Sequence, residues 1–124
     1  MNQRLLKGTV ALAICGAVTL TGVAPAGTRA NTRVTIQSDS GDFSGYVYGP
    51  MPEECSDGRN IILFKQRGSE QDPSTDRRVA NDTASLNGDK YQWNTGNTGL
   101  NGKFYAKARR TPVCKGDTSR TIHS

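Results

Sequence analysis

Few side chains in this 124-residue chain have the type and setting for chemistry. A catalytic base must be oriented by a further group, yet the one histidine, His123, is the penultimate residue, where chain ends fray. It reads as a surface side chain. Glu53 and Glu54 stand between Pro52 and Cys55 and read as a solvated rim. Asp72, Asp76, Asp82 and Asp89 fall in polar, turn-rich stretches, with no apolar setting to raise a carboxyl pKa. Loop acids of this kind can ligate Ca²⁺, but their spacing matches neither an EF-hand nor a repeat motif. The expectation is therefore no catalytic residue, no cofactor, no metal and no enzymatic activity. Asn81-Asp82-Thr83 fits an N-glycosylation sequon, relevant only on a eukaryotic secretory route.

Two basic pairs, Arg77-Arg78 and Arg109-Arg110, with Tyr46 and Tyr105 as stacking partners, raise nucleic-acid binding. Neighbours in a strand point to opposite faces, so each pair splits, and charges on strand edges that block aggregation explain them better. No nucleic-acid partner is expected.

Residues 1–30 have the composition of a secretory signal peptide: Arg4 and Lys7, an uncharged run over 8–24, then small residues at Ala24-Pro25-Ala26 and Ala30. The run is diluted by Gly, Thr and Ala and short for a membrane span. Ile14 is too bulky for a lipobox ending at Cys15. Removal of this segment leaves 13 basic against 11 acidic residues, a balance of +2 in place of +5. It also leaves two cysteines, Cys55 and Cys114, which in an exported chain most simply pair. Such a bridge closes a loop worth about 4 kcal/mol on chain-entropy grounds, a large contribution for one small domain over residues 31–124. Localisation is expected to be extracellular, with no membrane contact after cleavage.

The elements that would position these residues are all short. The stretch 58–66, GRNIILFKQ, holds the only unbroken run of large apolar side chains beyond the leader and reads as a strand covered at least partly on both faces. Residues 31–38 alternate as an edge strand. Residues 43–48 form another, with Phe43, Gly45 and Val47 on one face and Ser44, Tyr46 and Tyr48 on the other. Gly45 inside a strand marks a close backbone approach or a bulge. Residues 49–58, with two prolines, are irregular, and 67–75 form a polar loop. A weak strand follows over 76–83. Asn87-Gly88 signals a hairpin into 90–94, where Tyr91 and Trp93 share a face. After an Asn/Gly/Thr loop over 95–102, residues 103–110 alternate with Phe104, Ala106 and Ala108 inward, and a short strand closes 118–123. About seven strands and no helical period predict an all-β fold, a single β-sandwich preceded by a signal-peptide helix.

Several pieces together resemble a family: Phe43-x-Gly45-x-Val47, Cys55-x-x-Gly58-Arg59-x-Ile61-x-Leu63, Asn87-Gly88 before Tyr91-x-Trp93, and Gly102-x-Phe104-Tyr105-Ala106-x-Ala108 before Cys114. They are similar to the transthyretin-like (prealbumin-like) sandwich modules known as carboxypeptidase regulatory-like domains, in their small exported bacterial form. The resemblance spans residues 42–122. It implies a seven-stranded sandwich with a disulfide between loops flanking strands, and it carries over no catalytic residue. One departure is that Asp82-Thr83 precedes Gly88 by five residues, where the family has about four after a Thr-Asp pair.

In that pattern Ile61 and Leu63 face the core, so Ile62 and Phe64 face out, as do Tyr46 and Tyr48. These four form the candidate binding surface, for another envelope or extracellular protein or a wall polymer. The alternative cover for them is a loop or the N-terminal strand. The function expected is a secreted, non-catalytic module with a structural or protein-binding role. The alternative is a carbohydrate- or small-ligand-binding module using Trp93, Tyr105 or the 95–102 loop.

Overall fold

The structure is a computed structural model and describes residues 28–124. Apart from its last three positions, the signal peptide read over 1–30 lies outside the described residues. The described chain forms two antiparallel sheets from ten strand segments and one helical turn. In chain order these are β1 (Arg33–Val34), β2 (Gln37–Asp39), β3 (Asp42–Tyr48), α1 (Pro52–Cys55), β4 (Asn60–Gln66), β5 (Arg77–Thr83), β6 (Ser85–Asn87), β7 (Lys90–Asn97), β8 (Lys103–Ala108), β9 (Asp117–Thr118) and β10 (Ile122–His123). The first sheet runs β1-β3-β7-β6 with β2 also on β3; the second runs β10-β8-β4-β5 with β9 also on β8.

Two edges are interrupted strands: β1 and β2 pair with successive parts of β3, and β9 and β10 with β8. The sandwich therefore has eight strands in effect, four to a sheet, where about seven were expected. The break between β1 and β2 has a local cause. Thr35 binds Tyr46 twice, its N–H donating to the Tyr46 carbonyl at 3.0 Å and its hydroxyl accepting the Tyr46 N–H at 2.9 Å. Its own carbonyl turns inward to accept the Trp93 indole N–H at 3.0 Å. Gly45 makes room for this: a Cβ there would overlap the Thr35 carbonyl and lie 2.6 Å from Trp93 Nε1.

Strand β4 lies between β5 and β8, with Ile61 and Leu63 fully buried between the sheets. They pack with Phe43, Val47, Trp93 and Phe104 in the main core. Phe43 and Phe104 cross the gap with ring centroids 4.5 Å apart. The chain changes sheet at Ala84, whose N–H and carbonyl pair with Arg59 and Gly58 between β5 and β6. The β6–β7 turn has Asn87 opposite Lys90, so Gly88 and Asp89 are its central residues, with Gly88 at φ 69°. A glycine at the first central position suits a two-residue hairpin. Tyr91 and Trp93 keep their shared inward face.

The irregular stretch contains α1, begun by Pro52, which places Cys55 against Cys114 as a disulfide with a Cα separation of 5.7 Å. Arg59 organises this corner. It is 5 % exposed, and its guanidinium donates to the carbonyls of Cys55 (2.7 Å), Lys115 (2.7 Å) and Arg109 (2.8 Å) and to the Thr32 hydroxyl (3.2 Å). Those partners are all neutral oxygens. Burial draws its pKa downward, and carbonyl dipoles replace the water that the cation has lost. A sandwich joined by one disulfide results. The bridge is compatible with an oxidising, extracellular setting, and among the described residues no helix is long and apolar enough to cross a membrane.

Candidate binding surface

The alternation of β3 carries Tyr46 and Tyr48 to the outer face of the first sheet, where both are half-buried. Their ring centroids are 6.0 Å apart with planes inclined at 45°. Each ring has a cation against it. Arg33, opposite Tyr48 in register, places its guanidinium carbon 4.4 Å from the Tyr48 centroid, and Lys90 Nζ lies 5.2 Å from that of Tyr46. Gln92 stands opposite Tyr46, and Asn94 opposite Ser44. Asn87 Nδ2 donates to Gln92 Oε1 at 2.5 Å, which fixes that carboxamide beside the rings. The face is thus an aromatic strip with cationic ends and carboxamide sides.

The other two candidates require a correction. Ile62 and Phe64 do point away from the main core, but they are only 4 % and 2 % exposed. With Tyr105 they form a second small core on the outer face of the second sheet. The loop between β4 and β5 is fastened over that side of the sheet. The Tyr105 hydroxyl donates to Asp76 Oδ2 at 2.7 Å; the same carboxylate accepts the Arg67 N–H at 2.9 Å and the Asp72 N–H at 2.8 Å. Farther along, Gln71 Nε2 donates to the Ser119 carbonyl and the Thr121 hydroxyl. Ile62 and Phe64 are therefore buried structural residues: Phe64 stacks on Tyr105, which the loop fastens, and Ile62 borders Asn60, Arg78, Asn81 and Arg109.

The electrostatics of this cover follow from its hydrogen bonds. Burial pushes the Asp76 carboxyl up, but the two backbone N–H groups, the Tyr105 hydroxyl and the Arg67 charge outweigh it and hold the pKa below its ordinary value. Burial, then the bond to Asp76 and its charge, drive the Tyr105 phenol well above the ordinary tyrosine value. Asp72 is lowered by the Ser74 hydroxyl, which donates to its Oδ1 at 2.6 Å. Asp82 accepts the Asn94 N–H at 2.7 Å. By sequence Asp72, Asp76 and Asp82 read as scattered loop acids. No local pattern points to the Asp76–Tyr105 pair, whose members lie 29 positions apart.

Trp93 and Tyr105 are both fully buried, which removes them as surface platforms for a sugar ring. The 95–102 segment is largely the end of β7 and a turn held by its own side chains: Asn94 Oδ1 accepts the Gly96 N–H and Asn97 Oδ1 the Gly99 N–H. His123 is exposed on β10. One arginine from each basic pair, Arg78 and Arg109, lines a shallow concavity of about 300 Å³ with Asn60, Ile62 and Asn81.

No protein-family model, curated protein or solved structure matches the chain. What the geometry defines is an all-β sandwich with one disulfide and one open aromatic face.

Proposed function

We propose that the chain is an exported, non-catalytic β-sandwich module of the transthyretin-like kind, and that it docks a partner protein through the outer face of its first sheet. The observation that carries this reading is the contrast between the two outer faces. The outer-face aromatics of the second sheet, Phe64 and Tyr105, are buried, with Tyr105 fastened to a loop, while Tyr46 and Tyr48 of the first are left half-open between Arg33 and Lys90. Tyrosine and arginine are the side chains on which interfaces most often depend, and two cations at the ends of the strip complement an acidic partner. The polar groups of the Asp76–Tyr105 pair are engaged in holding the loop, which fits a structural use.

Export is supported by the composition of residues 1–30 and by the disulfide. Of the two small-residue cleavage positions, the one after Ala26 fits better, because it retains Arg29 and Ala30, which serve the fold. Arg29 Nε donates to the Thr111 carbonyl at 2.9 Å, and Ala30 exchanges backbone bonds with Val113 and Lys115.

Saturation binding of the labelled protein to the native envelope fraction tests the docking face. A Tyr46→Ser/Tyr48→Ser variant that stays folded at the assay temperature should lose saturable binding. Binding equal to wild type would refute the assignment.

A further inference from the structure

At the β6 end of the first sheet the inner face runs out past its cover. Leu86 pairs with Tyr91 across the hairpin and so shares its inward side, yet Leu86 is 59 % exposed, the most exposed large apolar side chain among the described residues. Beneath it lies a concavity of about 450 Å³, within the range of ligand sites. Val47, Tyr91, Leu86 and Pro52 give it apolar walls, with Lys90 and Asp89 among its other lining residues. Ser56, which also lines it, is fully buried, and its hydroxyl has no hydrogen-bond partner. A buried hydroxyl without a partner is destabilising, and a large apolar side chain beside an open concavity leaves apolar surface in water. The two defects adjoin, and one occupant corrects both: an apolar body carrying a hydrogen-bonding group.

We infer that this concavity receives an apolar side chain from an extended segment of a partner protein, with the segment's peptide group bonded to the Ser56 hydroxyl. Two features favour a peptide. Strand β6 is the free edge of its sheet, open to a further strand. Tyr48 lines the concavity as well, so the site continues directly into the tyrosine strip. The inference rests on the docking reading and names what the partner must insert.

The test is amide-resolved NMR of the purified protein titrated with N-acetyl-leucinamide and N-acetyl-phenylalaninamide, with N-acetylglycinamide and N-acetylglucosamine as controls. The expected result is saturable shifts of the Val47, Ser56, Leu86 and Tyr91 amides with the two apolar probes only. Leu86→Asp, at an exposed position, should weaken them at least about tenfold by placing a carboxylate in the apolar mouth. Ser56→Ala should weaken them about three- to tenfold, the worth of one hydrogen bond, without lowering Tm. No saturable shift, shifts mapping elsewhere, a stronger response to the sugar, or wild-type affinity in Ser56→Ala would each overturn the inference. Envelope binding that survives Leu86→Asp but is lost in Tyr46→Ser/Tyr48→Ser would overturn it while leaving the docking face standing.

Discussion

Phe64 lies flat against Tyr105, their ring centroids 5.2 Å apart and their planes 12° from parallel, on the side of β4 that faces away from the sandwich core. The stack sits beside a loop fixed by the Tyr105 hydroxyl to Asp76. The second sheet therefore has apolar packing on both faces, and the half-open outer-face aromatics are Tyr46 and Tyr48 of the first.

Replacement of Phe64 separates packing from docking. Phe64→Ser should cost about 3–5 kcal/mol, as large-to-small changes in cores do, a fall in Tm of more than about 12 °C for a domain of this size. Tyr46→Ser should cost about 1 kcal/mol or less, in keeping with a half-exposed position. Thermal unfolding of both variants checks the contrast, and a small effect of Phe64→Ser would return that residue to the surface.

The Asp76–Tyr105 pair predicts stability limits at both ends of the pH scale. Asp76 has a depressed pKa in the folded state. Its contribution is present above the ordinary carboxyl range and is lost as pH falls through the folded value. Tyr105 has a raised pKa, so its contribution is full below pH 10.0, the ordinary tyrosine value, and declines as pH rises beyond it. Tyr105→Phe should flatten the alkaline decline and lower stability at neutral pH by about 1.5–3 kcal/mol, the worth of a hydrogen bond to a charged group. Denaturant melts across pH measure both. An unchanged alkaline limb in Tyr105→Phe would mean that the phenol is not the titrating group.

The proposed export makes a prediction about the N-terminus. Arg29 and Ala30 are tied to the 111–115 segment, so processing should occur after Ala26. Intact-mass measurement of the protein recovered outside the cell should give a chain beginning at Gly27. A chain beginning at Asn31 would show that those contacts are dispensable.

Much of the fold was legible because it depends on near neighbours in sequence. Alternation assigned the faces of β3, β7 and β8, and the cysteine count gave the Cys55–Cys114 bridge. Gly45 was readable as a point of close approach, though not that the approaching group is the Thr35 carbonyl beneath the Trp93 indole. Half of the binding surface was misread for one physical reason. A period-two pattern says which side of a sheet a residue is on, not whether something lies over that side. Ile62 and Phe64 are buried with Tyr105 in a second small core, and Tyr105 is tied to the polar β4–β5 loop by a long-range hydrogen bond to Asp76. Arg59 stood in the motif, but its five hydrogen bonds to residues across the fold became visible only in three dimensions. The Ser56–Leu86 concavity left no sequence signal, since its lining comes from three separate stretches, 47–49, 52–56 and 86–91.

The docking face is tested most directly by photo-crosslinking in producing cells, with benzoylphenylalanine in place of Tyr46 and, separately, of Thr118, an exposed residue of β9 on the other sheet. The account predicts one discrete higher-mass adduct from position 46 and none from position 118. No adduct from position 46, or the same adducts from both, would contradict it.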